Sequence, residues 1–130
     1  MIDKATREKI ISLIRREVVP ALGCTEPIAV SLAVAKATEL LGMQPEEINL
    51  GLSGNIIKNA MGVGIPGTGM IGLPIAIALG SLIGKSEYGL EVLKEVSPEA
   101  VDRGKAFIES VPINIKHLPD SPSNLHVDVE

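Results

Sequence analysis

Between Lys58 and Lys85 the chain carries no charged residue, and Met70 to Ile83 is almost wholly apolar. Any fold must bury that stretch, either in lipid or in the middle of a protein core. A membrane span needs about 20 consecutive apolar residues. Here the first half is interrupted by Asn59, Pro66, Thr68 and the glycines at 62, 64, 67 and 69. The remainder predicts a core helix over Leu73–Ile83, with Pro74 in its first turn, where a missing N–H does no harm.

A chain of 130 residues holds one domain with a real core. Apolar residues make up 45% of it but aromatics only 2%, so Ile, Leu, Val, Ala and Met must fill the interior. The net charge of −4, without a Lys or Arg stripe, argues against a nucleic-acid binder. A single cysteine excludes an internal disulfide framework and fits a reducing, cytoplasmic setting. Met1 to Glu17 mixes charged and apolar residues and has no signal-peptide apolar run.

These patterns predict an α+β fold of about five helices, two of them mostly buried, with a small sheet of short strands. Asp3 caps a first helix whose apolar stripe is Ile10, Ile11, Ile14 and Val18, and Pro20 ends it. A second helix starts with Thr25 as N-cap and stops at Gly42. Ile48–Leu52 reads as a strand, Asn55–Met61 as a helical turn and Val63–Ile65 as a brief strand. Tyr88–Val96 reads as a short fourth helix, and Ser97-Pro98 opens a fifth that runs to about Ser110. Ile113 and Ile115, then Leu125, Val127 and Val129, alternate with polar residues across a Pro/Ser/Asn turn, which predicts a C-terminal hairpin. That alternation is still running at Glu130, so the domain reads as the N-terminal portion of something longer.

Chemistry concentrates in two segments. Ala21-Leu22-Gly23-Cys24-Thr25-Glu26-Pro27 sets the only thiol at a helix mouth, among unpaired N–H groups and the positive end of the helix dipole, which favour a thiolate. Glu26 opposes this for a free thiol, whereas a bound metal would supply the compensating charge. The alternative is an inert cysteine filling the core. In the second segment, Ser53 to Gly69, the residues Asn55, Lys58 and Asn59 share helical spacing and can point into one cleft. Gly67-Thr68-Gly69 offers close backbone approach and a hydroxyl to a carboxylate, or simply forms a tight turn. Two overlapping three-glycine matches (Gly62/Gly64/Gly67 and Gly67/Gly69/Gly72) follow only a short strand that contains Pro66 and arise readily by chance in so glycine-rich a segment, which argues against dinucleotide binding. His117 and His126 sit on the predicted hairpin, away from the glycine-rich segment and without metal-site spacing.

The Ala21–Pro27 motif, the Ser53–Gly69 segment, Gly72-Leu73-Pro74 and Gly89-Leu90-Glu91-Val92-Leu93-Lys94 together resemble the N-terminal part of the L-cysteine desulfidase family, related to the alpha portion of iron–sulfur L-serine dehydratases. The resemblance implies a pyridoxal-phosphate-independent lyase with a [4Fe-4S] cluster, turning L-cysteine into pyruvate, ammonia and sulfide, or deaminating L-serine. It implies Cys24 as one cluster ligand and Gly67, Thr68 and Gly69, with Asn55 and Asn59, as substrate wall, to which Lys58 is added by its spacing. One thiolate cannot hold a cubane cluster. The expectation is therefore a piece that is inactive alone, binds no cluster by itself, and is completed by a missing C-terminal region or a partner subunit. The short, aromatic-poor core also predicts association, including a homo-oligomer, and a non-enzymatic ligand-binding or oligomerisation module on the same scaffold is the competing expectation.

Overall fold

A computed structural model describes all residues from Met1 to Glu130. Its centre is the charge-free stretch. Helix α4 (Leu73–Leu82) buries eight of its ten residues and is apolar on every side, so it needs cover all round. Helix α2 (Thr25–Leu41) lies against one side of it and α5 (Pro98–Ser110) against another. Close approach needs small residues: a Cβ on Gly104 would fall 2.8 Å from Ile75 Cδ1. Ser31 is fully buried on α2 and donates its hydroxyl to the Ala76 carbonyl at 2.8 Å. No helix is long and apolar enough to cross a membrane.

The second layer is a three-stranded sheet. Strand β1 (Ile48–Leu52) alternates buried and half-buried residues and sends Ile48, Leu50 and Leu52 into the core. Strands β4 (Ile113–His117) and β5 (Val127–Val129) both form, but they do not pair with each other as the predicted hairpin would. β1 lies between them, parallel to β4 and antiparallel to β5. The turn from 118 to 126 is therefore wide enough to step across one strand, and Ser53 pins it. The Ser53 hydroxyl donates to the Asn124 carbonyl at 2.7 Å, and the Ser53 N–H donates to the His126 carbonyl at 3.0 Å. A second, two-stranded ribbon joins β2 (Gly64–Ile65) to β3 (Met70–Ile71).

Three local expectations are corrected. Cys24, not Thr25, is the N-cap of α2, and its side chain makes no capping bond. The fourth helix reduces to a 3-10 turn over Ser86–Glu91, broken at Gly89 (φ 54°, ψ −126°), a backbone state that suits glycine alone. Around this turn Lys85 pairs with Glu95 at 2.9 Å and reaches the Tyr88 hydroxyl; the Glu95 contact is the main cause of the raised Lys85 pKa, as Lys85 is of the lowered Glu95 pKa.

The third correction concerns α1 (Lys4–Glu17). Asp3 caps it as expected, accepting from Thr6 N–H at 3.0 Å, but none of its residues is buried. Ile10, Ile11, Ile14 and Val18 remain exposed. An isolated helix of this length is marginal in water. Removing residues 1–19 is thus expected to leave the thermal unfolding of the remainder unchanged within about 1 kcal/mol. A markedly lower midpoint in calorimetry would mean that α1 packs on the body.

Candidate functional site

Helix α3 (Gly54–Ala60) carries the amides. Ile56 and Ala60 are fully buried in the main core cluster, which fixes the helix and turns Asn55, Lys58 and Asn59 outward. Asn55 and Asn59 stack one turn apart, and Asn59 Nδ2 donates to Asn55 Oδ1 at 3.2 Å. The same nitrogen donates to Glu26 Oε1 at 3.3 Å, joining α3 to the first turn of α2, two residues beyond Cys24.

A second contact ties the thiol's loop to the glycine-rich ribbon. Gly23 has φ +93°, and a Cβ there would meet Pro66 Cγ at 2.8 Å. The two sequence segments therefore meet: the turn before α2 lies on Pro66, and α2's first carboxylate lies on α3's amides. Cys24 is exposed beside this junction as a free thiol.

Other expected site residues have different duties. Thr68 donates its hydroxyl to the Ile65 carbonyl at 2.7 Å and accepts from the Met70 N–H at 2.9 Å, so it locks the β2–β3 turn. Gly67 and Gly69 take positive φ in that turn, and a Cβ on Gly67 would strike Val96 Cγ1 at 2.6 Å. The turn does not run directly into α4, because β3 and Gly72 intervene. Lys58 is exposed and forms no ion pair.

The histidines lie closer to the glycine-rich segment than their sequence positions indicate. A Cβ on Gly54 would come 3.0 Å from His117 Nε2, and His126 Nε2 approaches Asp128 Oδ1 at 3.1 Å. No group of three or more His, Cys, Asp or Glu side chains is placed to hold a metal ion. An apolar groove of about 350 Å³ lies elsewhere, between the C-terminal half of α2 and β5, lined by Val34, Leu41, Ile48 and Val129.

Glu26 is the residue that sequence reasoning missed. Its signal is weak: a carboxylate in a first helical turn is common for dipole reasons alone. Only the fold brings it to Asn59, 33 positions along the chain.

The fold is thus an α+β layer with an exposed thiol two residues from a carboxylate that accepts from one of a pair of amides. In sequence the chain is similar to the UPF0597 protein of Phocaeicola vulgatus, at 65% identity over 129 residues, covering 99% of this chain and 30% of that protein. The UPF0597 protein BF3560 of Bacteroides fragilis is 63% identical over 126 residues, covering 97% of this chain and 29% of its own. That of Aeromonas hydrophila is 50% identical over 117 residues, 90% of this chain and 27% of its own. The chain thus spans about 30% of the length of the curated relatives it matches. No family model matches, and no solved structure matches. These relatives carry the UPF0597 name, and nothing in the comparisons connects the chain to L-cysteine desulfidase or L-serine dehydratase, which corrects the family assignment drawn from the motifs.

Proposed function

We propose that this chain forms one wall of the active site of a pyridoxal-phosphate-independent lyase acting on a small amino acid in the cytoplasm. The observation that carries the reading is the junction itself: an exposed thiol two residues from a carboxylate that is hydrogen-bonded to an amide pair. Elimination from an amino acid needs the substrate's charged ends held still while a β-substituent departs, and fixed polar groups on two packed helices suit that task. An iron–sulfur cluster would supply Lewis acidity toward the departing group. The residues present here do not hold one alone, since such clusters need several thiolates and Cys24 is single. Cys24 would be this chain's one ligand, with the others furnished by polypeptide corresponding to the rest of the relatives' length.

The test joins this chain to that polypeptide, reconstitutes the product anaerobically with iron and sulfide, and compares it with Cys24→Ala. Turnover of L-cysteine or L-serine is expected to fall at least about a hundredfold, since even groups behind the ligands cost 10–100-fold when lost. Visible thiolate-to-iron absorbance should weaken with it. Full turnover by the alanine variant would overturn the reading.

A second reading is favoured by the bare α1 stripe: a non-enzymatic ligand-binding or oligomerisation module. It predicts self-association of this chain, lost on Ile14→Glu, and no turnover in any assembly.

A further inference from the structure

Strand β5 is an edge of the three-stranded sheet, and its only partner is β1. Asn49 and Glu130 exchange both of their backbone bonds, at 2.7 and 2.8 Å, and in an antiparallel ladder such pairs alternate with unbonded ones. Val127 and Val129, opposite Leu52 and Leu50, belong to the unbonded pairs, so their N–H and C=O groups point away from β1, toward the open edge. An unguarded edge of this kind is a template for another strand. Helix α2 runs short of cover at the same place. Val30, Val34, Ala37 and Leu41 form one stripe at helical spacing; Val30 is 0% exposed but Leu41 is 56% exposed, and Leu40 beside it is also bare. The apolar groove of about 350 Å³ lies at this bare end, walled by Val34, Leu41 and Val129.

Edge and groove together suit one kind of occupant. A strand laid along β5 satisfies the free N–H and C=O groups of the two valines. It also sends every second side chain onto the face of Val127 and Val129, into the groove. Its other side chains stand beside Asp128 and Glu130, which are exposed on the opposite face. We infer that β5 takes a fourth strand, apolar on the groove side and basic or polar on the other, from the polypeptide that makes up the rest of the relatives' length. This chain spans about 30% of those relatives, so most of their polypeptide is available to supply it. A second copy of β5 fits less well. The register that pairs both valines of one copy with those of the other sets the two Asp128 side chains directly opposite, where like charges repel. The fourth strand concerns how the sheet is completed and holds whether or not the lyase reading does.

The experiment uses this chain joined to that polypeptide and follows amide hydrogen exchange residue by residue. Val127 and Val129 should exchange at least about a hundredfold slower than an open strand, as slowly as Glu130, whose N–H donates to the Asn49 carbonyl. Leu41→Glu then puts a charge into the groove. On a bare helix end this change costs little, because Leu41 is exposed. Against a seated strand it should speed exchange at both valines at least about tenfold, and at one stretch outside residues 1–130 together with them. Unchanged protection in α4 verifies that the core is intact. Valines that exchange freely in wild type overturn the inference, as does a Leu41→Glu variant that leaves them protected or deprotects nothing outside residues 1–130. So does valine protection that grows with protein concentration alongside a doubled mass in sedimentation, which would put a second copy on the edge.

Discussion

Gly80→Ala is expected to lower the unfolding midpoint by about 6–10 °C, although alanine is the better helix former. In the last turn of α4, the added Cβ would lie 2.6 Å from the Ser31 carbonyl oxygen and 3.0 Å from Ser31 Cα. Both are backbone atoms of α2, so no side chain can swing aside. The two helices must separate by several tenths of an ångström, which loosens packing along their whole contact and lengthens the Ser31–Ala76 bond. Overpacking of this kind costs about 1–3 kcal/mol, at the upper end when backbone must move. Relief of glycine's helix penalty returns up to about 1 kcal/mol. The net is about 2 kcal/mol, and for a chain of this size each kcal/mol moves the midpoint by about 3–5 °C. Thermal circular dichroism decides it. A raised midpoint would mean that the helices are not in such close contact.

The same glycine shows where the sequence is legible and where it is not. The extent of α4 follows from local signals: Pro74 in the first turn, an unbroken apolar run, then Gly84 and Lys85. β1 and α5 are equally plain, the latter through Ser97, which accepts from Ala100 N–H at 3.2 Å. Nothing local marks Gly80 as the point where α2 crosses, because that depends on Ser31, far away in sequence. Sheet order fails for the same reason. Alternation predicts that 113–117 and 127–129 are strands, but not that β1 comes between them. Gly89 misleads in another way, since one positive φ breaks an otherwise helical pattern. At the site, the two segments that carry the chemistry stand out by their composition, but only the fold shows that they meet. The Glu26–Asn59 bond is not legible, whereas Thr68's commitment to its own turn follows the tight-turn alternative that its flanking glycines offer.

Because α3 is held by so little, Ile56→Ala is expected to damage site and stability together. The helix has seven residues, too few to persist without tertiary support. Ile56 and Ala60 enter the core from it, both 0% exposed, and half-buried Ile57 packs against that core. Truncating Ile56 removes the larger anchor, and buried isoleucine-to-alanine changes cost about 2–5 kcal/mol. The loss should fall first on α3, with Asn55 and Asn59 released from Glu26 before the α2–α4–α5 core opens. Amide hydrogen exchange should therefore show protection falling across residues 56–60 more than in α4. Asn59→Ala serves as the contrast: its side chain is half-buried and joins only Glu26 and Asn55, so stability should change by less than about 1 kcal/mol while amino-acid binding is lost. Equal protection in α3 and α4 of the Ile56 variant would show that the amide wall is fastened by something other than this one side chain.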